Sequence, residues 1–208
     1  MAPAPSLVVL ASLYLGCGLS VEIAVLNTRA CHETPFSKMI CEGVAVSRAA
    51  HPGDHIYFHN VLPEDCMAFA ANRTDHQLMV FADYLLEGCA VSAAIDHPST
   101  WIITLDYCPP SAGAHPNLIC GIFAADQPSY AAGFLAGVVS SSKVMGIVGG
   151  PPIPPVQQLF NAFLLGVRAS CPDCRVEGMH VNSFYHPRNA VAVASYLVNS
   201  TAADVVYC

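Results

Sequence analysis

Charge is scarce in this chain. Only 11% of its 208 residues are Asp, Glu, Lys or Arg, and the 15 acidic residues outnumber the 8 basic ones, for a formal net charge of −7. No nucleic-acid partner is therefore expected, because phosphate binding needs clustered Lys and Arg. Catalytic signatures are missing too. No Gly-x-Ser-x-Gly elbow and no helical His-Glu-x-x-His occurs, which removes the commonest serine-hydrolase and zinc-protease sites. Gly149-Gly150 is not followed by Gly-Lys-Ser/Thr, so no nucleotide phosphate loop is expected. His51, His55 and His59 are evenly spaced, but Pro52-Gly53 breaks any helix between the first two. Cys171-Pro-Asp-Cys174 has no second Cys-x-x-Cys to complete a zinc site. No metal and no cofactor is expected. After residue 21 no apolar run is long enough to cross a bilayer.

Apolar residues, by contrast, make up 54% of the chain, enough for a sizeable core. One apolar run, Leu7–Leu15, has the length of a signal-peptide core, and the small residues Gly16, Gly18 and Ser20 follow it. A secretory signal over residues 1–20, cleaved near Ser20, is expected rather than lipidation of Cys17. Ten cysteines fit the oxidising compartment that such a signal implies. Nine remain after cleavage, so one stays free or pairs outside this segment. Cys171 and Cys174 follow a helix and precede a strand, the reverse of a redox motif, and read as a paired turn. Two sequons, Asn72-Arg73-Thr74 and Asn199-Ser200-Thr201, suit a secreted glycoprotein.

Strand and helix patterns alternate along the chain. Strands are expected at Val21–Asn27, His55–Phe58, Leu78–Ala82, Trp101–Leu105, Leu118–Phe123, Val144–Val148, Val176–Val181 and Val205–Tyr207. Thr34 can cap a helix that starts at Pro35, with Phe36, Met39, Ile40, Gly43 and Val44 inward. Helices are also expected over Glu64–Ala71 and Asp83–Asp96. Asp126 opens another, with Tyr130, Phe134, Leu135 and Val138 inward. Val156, Leu159, Phe160, Phe163, Leu164 and Val167 form one stripe of a further helix, opened by Pro154-Pro155. Pro187–Val198 is the last. This order implies α/β lobes with mostly parallel sheets, one over 21–122 and a second, partial one over 123–208.

Ligands of parallel sheets bind beyond the carboxyl ends of the strands. That rule selects Asn27 and the following loop to Ser37, Asp106-Tyr107, Gly149-Gly150 and Ser183-Phe184. The set holds one carboxylate, small polar groups, aromatics and glycines. It suits hydrogen bonding and stacking of a flat polar molecule, and it suits catalysis poorly.

Several of these stretches resemble the basic membrane protein family of bacterial surface lipoproteins, of the purine-nucleoside-receptor type. HPNLICGIFAADQPSYAAGFLAGVV is similar to the family's segment in which an Asn precedes a strand and an acidic residue opens a helix ending Leu-Ala-Gly. GIVGGPPIPPVQQLFNAFLLGVRASCP is similar to its Gly-Gly, Ile-Pro, Phe-x-x-(Gly/Ala)-Phe-x-x-Gly run. NSFYHPRNAVAVASYLVNSTAADVVY resembles its Ser-Phe stretch and final Ala-Asp strand, and ETPFSKMICEGV and WIITLDY match more loosely. The resemblance implies a type I periplasmic-binding-protein-like fold, with a cleft between two α/β lobes. It implies that Phe36 and Phe184 sandwich a base and that Asp106 contacts the ligand. Ser37 stands where the family often has Asn, and His186 where an Asp often follows Ser-Phe. The expected ligand-binding set is Asn27, Phe36, Ser37, Asp106, Gly149, Gly150 and Phe184.

The expected activity is binding without catalysis: an extracytoplasmic protein that holds a nucleoside-like solute and delivers it to a membrane permease. The alternative is the ligand-binding ectodomain of a signalling receptor that continues into a downstream membrane span. The chain stops within the apolar strand Val205–Tyr207, whereas the family domain continues, so a fragment of a longer protein is expected.

Overall fold

The computed structural model describes residues 20–184 and 186–208. The expected signal segment lies outside the described residues except for Ser20. The chain divides into two compact units, with Phe123 the last residue of the first and Ala124 the first of the second.

The first unit is a five-stranded parallel sheet in the order β2-β1-β3-β4-β5. Its strands are β1 (Glu22–Asn27), β2 (His55–Asn60), β3 (Leu78–Phe81), β4 (Trp101–Leu105) and β5 (Leu118–Gly121). Helices α1 (Pro35–Ala50), α2 (Pro63–Ala71) and α3 (Glu87–Asp96) connect them. Alternation along the strands sends Ala24, Leu26, Met79, Phe81 and Ile102 to one face, where α2 and α3 cover them. Ile23, Val25, Leu78, Val80 and Ile103 point to the other face, against Val44 and Ile40 of α1. Arg48 Nε donates to the Ile56 carbonyl at 2.7 Å, tying α1 to β2.

Helix α1 starts where the sequence places it. Thr34 and Ser37 form a reciprocal capping box, with Pro35 at the first helical position. Met39, however, is 61% exposed instead of inward. It overhangs an apolar groove lined also by Val25, Ile40, Gly43, Val80 and Leu105. Trp101 opens β4 at 42% exposure, so only the strand's later residues are buried. The expected helix from Asp83 is a 3-10 turn, Tyr84–Leu86, followed by α3, because the Asp83 side chain caps the Leu85 N–H instead of a full helical turn.

The second unit is a three-stranded parallel sheet in the order β7-β6-β8. Its strands are β6 (Val144–Gly149), β7 (Arg175–His180) and β8 (Val205–Tyr207). Helices α4 (Asp126–Val139) and α5 (Pro154–Ser170) pack on one face, where Ala136, Met145, Ile147, Phe163 and Val167 meet. Helix α6 (Pro187–Thr201) covers the other through Leu197, beside Val148 and Ala203.

Helix α4 corrects the sequence reading. Tyr130, Phe134, Leu135 and Val138 are exposed, and the buried stripe is Ser129, Gly133, Ala136 and Gly137. The reason is a close helix crossing. A Cβ added to Gly133 would lie 2.1 Å from the Phe163 carbonyl oxygen, and one added to Gly166 would lie 2.0 Å from the Tyr130 carbonyl oxygen. Only glycine permits that approach.

Eight cysteines form four disulfides: Cys31–Cys41, Cys66–Cys89, Cys108–Cys120 and Cys171–Cys174. Cys208 is free and exposed. The Cys-Pro-Asp-Cys segment is thus a disulfide-bonded turn between α5 and β7. No described helix is long and apolar enough to cross a membrane.

Candidate functional site

In the first unit, β1 ends in Asn27, which is 1% exposed. Its Nδ2 donates to the Arg29 carbonyl at 3.0 Å, while its buried Oδ1 has no hydrogen-bond partner among the described residues. Thr28 follows, and its hydroxyl donates to the Asp83 carboxylate beyond β3. Phe36 lies half-buried in the first turn of α1. Ser37 beside it is fully buried, and its hydroxyl is engaged by the helix cap, accepting from Thr34 N–H at 3.1 Å. The structure therefore gives Ser37 a positioning part and turns its hydroxyl away from solvent.

Asp106 follows β4 with φ 65°, the left-handed region, which disfavours side chains other than Gly, Asn and Asp. Three features surround it. Its N–H donates to the Gly121 carbonyl at 2.7 Å. The Thr104 hydroxyl donates to the Tyr107 carbonyl at 2.8 Å. Cys108 is bonded to Cys120 of the neighbouring β5. Its carboxylate has no hydrogen bond or ion pair among the described residues. Burial without a partner pushes its pKa above the usual carboxylate range. Tyr107 is buried edge-on to Tyr84, with ring centroids 5.7 Å apart. Its hydroxyl has no hydrogen-bond partner among the described residues, and burial, then Glu87 and Asp83, raise its pKa.

In the second unit, β6 ends at Gly149-Gly150. A Cβ at Gly149 would strike Phe160 at 2.3 Å, and one at Gly150 would strike Phe184 at 2.4 Å. The glycines thus make room for two rings of the chain itself. Phe160 stacks on His180, the last residue of β7, at 4.5 Å, and His180 Nδ1 donates to the Gly150 carbonyl at 3.0 Å. Phe184 is 58% exposed, with its ring over Gly150. A large aromatic kept in solvent at a strand end is a ready stacking surface.

The expected residues thus fall into two strand-end groups, each within its own unit: Asn27, Phe36, Ser37 and Asp106 in the first, Gly149, Gly150 and Phe184 in the second. The strand-end selection includes Thr28 within the loop to Ser37 but leaves out its partner Asp83, and in the second unit it leaves out Phe160 and His180. Applying the strand-end rule to β3 and β7 finds Asp83 and His180. Nothing in the sequence marks Phe160 apart from the core stripe it belongs to. Among the described residues no group of three or more His, Cys, Asp or Glu could hold a metal ion.

Residues 20–208 match the model of a family described as "Bmp: ABC transporter substrate-binding protein PnrA-like". The chain belongs to this family. A purine-binding protein of Brucella abortus is 34% identical over 70 residues, 34% of this chain and 20% of that protein. A candidate ABC transporter glucose-binding protein of Haloferax volcanii is 32% identical over 80 residues, 38% of this chain and 20% of that protein. The crystal structure of an ABC transporter solute-binding protein from Aeropyrum pernix superposes with a TM-score of 0.71 at 16% identity, covering 90% of this chain and 54% of that one. The matched segments therefore span a fifth of the curated relatives and about half of the solved neighbour.

The superposition establishes the fold: two parallel α/β sheets flanked by helices, of the type I periplasmic-binding-protein kind. The family is one of binding proteins, not catalysts, in keeping with the absence of catalytic motifs from the sequence.

Proposed function

We propose that this protein binds a small extracytoplasmic solute, a purine nucleoside, and serves as the solute-binding component of an ABC transport system that passes the solute to a membrane permease. The observation that carries the ligand class is Phe184, a largely exposed aromatic just beyond a parallel strand, with its ring beside Gly150. Phe36 offers a second aromatic, Asn27 offers a buried unpaired oxygen, and Asp106 a partly desolvated carboxylate, for N–H or hydroxyl groups. The purine-binding Brucella relative favours the base, and the disulfides suit an extracytoplasmic compartment. The four disulfides also favour a second reading, the ectodomain of a membrane receptor. A transmembrane segment in the full gene separates the two.

Calorimetry with adenosine, guanosine, inosine and glucose tests the proposal. At least one nucleoside binds and glucose does not. Phe184→Ala then weakens binding by about tenfold, the worth of one base–aromatic stack, with thermal stability unchanged. Binding of glucose alone overturns the nucleoside assignment.

A further inference from the structure

Of the four disulfides, Cys31–Cys41 encloses one candidate binding segment of the first unit and Cys108–Cys120 flanks another. Cys31–Cys41 spans the Thr34 cap, Phe36 and Ser37. Cys108–Cys120 begins two residues after Asp106 and ends beside Gly121, whose carbonyl accepts the Asp106 N–H. The third bond of this unit, Cys66–Cys89, lies elsewhere. It joins α2 to α3 in the core, and both its cysteines are buried.

We propose that Cys31–Cys41 and Cys108–Cys120 are positioning bonds that hold Phe36 and Asp106 in their ligand-binding geometry, whereas Cys66–Cys89 serves stability alone. This rests on the solute-binding reading above. The physical case is strongest at Asp106. A left-handed aspartate with a desolvated, unpaired carboxylate relaxes to negative φ unless its surroundings over-determine it. One backbone hydrogen bond and the anchored Tyr107 carbonyl hold its two sides, and the disulfide ties the chain two residues after it to β5, beside Gly121. At Phe36 the capping box fixes the first turn of α1, and the disulfide fixes the approach of residues 28–34 to it. Pre-organisation of this kind raises affinity by removing the ordering cost of binding.

Exposure separates the bonds as well. Cys108 is exposed and Cys31, Cys41 and Cys120 are half-buried, while Cys66 and Cys89 are out of solvent. A dithiol therefore reaches these two bonds, and the half-buried Cys171–Cys174 of the second unit, before Cys66–Cys89; only the first two lie in the segments followed by exchange. For each bond broken, the dithiol supplies two electrons and two protons, leaves two cysteine thiols and is itself oxidised to its cyclic disulfide.

The test compares C31A/C41A, C108A/C120A and C66A/C89A by two readouts: amide hydrogen exchange and affinity for the purine nucleosides. Each of the first two variants loses protection in its own segment, residues 28–37 or 104–110, and binds about tenfold more weakly. The third melts at a lower temperature and binds like the parent. Where a variant fails to fold, brief dithiothreitol treatment of the folded parent gives the same exchange signature. Unchanged exchange in both segments overturns the proposal, as does a C66A/C89A protein that loses affinity as much as the other two. Should the intact protein bind no nucleoside, the nucleoside reading fails, and the exchange measurements alone decide the positioning bonds.

Discussion

Gly133→Ala is expected to destabilise the second unit by about 2 kcal/mol, the balance of an overpacking cost and a gain in helix propensity. The new Cβ would lie 2.1 Å from the Phe163 oxygen, 2.8 Å from its carbonyl carbon and 2.9 Å from its Cα. Attractive carbon contacts begin near ~3.5 Å, so α4 and α5 must separate by about 1 Å or more. The obstacle is backbone, so no side chain can swing aside. The cost then lies at the upper end of the overpacking range, about 3 kcal/mol. Alanine's better helix propensity returns about 1 kcal/mol of that. Gly43 in α1 is the control, because a Cβ there meets nothing within 4 Å. Gly43→Ala is expected to stabilise by up to about 1 kcal/mol. Urea denaturation of both variants, followed by circular dichroism, measures the pair. If Gly133→Ala matched the parent, or both substitutions shifted stability the same way, the close-crossing account of α4 would be wrong.

Asp106→Asn is expected to stabilise the protein at neutral pH. Its folded pKa is raised by burial above the ordinary 3.8, so the parent loses stability as pH rises from that value through the folded pKa, and Asn does not. Melting curves from acid to neutral pH should show the gap between the two proteins widening; a gap independent of pH refutes the desolvated carboxylate. His59 sits 4.7 Å from Phe69, over which Arg73 also stacks. Burial, then Arg73 and His76, lower its pKa below 6.5. Between the folded and unfolded values the unfolded chain binds more protons, so stability is full above 6.5 and falls as pH drops through it. His59→Phe should flatten this acid slope in pH-dependent melts, and an unchanged slope would place its origin elsewhere.

Much of the fold is legible in the sequence because its signals are local. The strands Trp101–Leu105 and Val205–Tyr207 appear at the expected bounds, and Thr34-Pro35 marks a helix start that the capping box fulfils. The helix after Asp126 is legible but its orientation is not. Its apolar residues point to solvent, and a Ser-Gly-Ala-Gly stripe points inward. Apolar periodicity measures where burial would be most favourable, whereas here backbone proximity between two helices decides which face is used. Met39 fails for a related reason: its side of the apolar stripe borders an open groove over Val25, Val80 and Leu105, while Ile40 and Val44 make the contacts with the sheet. The candidate residues lie where the strand-end rule places them, yet their hydrogen bonds are not legible in the sequence. Whether the Ser37 hydroxyl faces outward or caps its own helix depends on hydrogen bonds that the residue type leaves open.

Those roles narrow the ligand chemistry further. The polar groups at the carboxyl ends of the first sheet divide into two sets. Thr28 is paired with Asp83, Ser37 with Thr34, and Thr104 with the Tyr107 carbonyl. Asn27 Oδ1 and the Tyr107 hydroxyl are buried without partners, and the Asp106 carboxylate is desolvated without one. Each buried unpaired group costs about 1–3 kcal/mol. Ser47 Oγ and the Nε2 atoms of His59, His76 and His97 are also buried without partners among the described residues, so what sets these three apart is their place next to the carboxyl ends of β1 and β4. Two of them, Asn27 Oδ1 and an ionised Asp106, only accept, whereas the tyrosine can donate. Under the proposed solute-binding function, a ligand that satisfies this end of the sheet would present at least two N–H or O–H donors. A nucleoside, with ring amines and ribose hydroxyls, meets that requirement, and a purely apolar or acceptor-only solute does not.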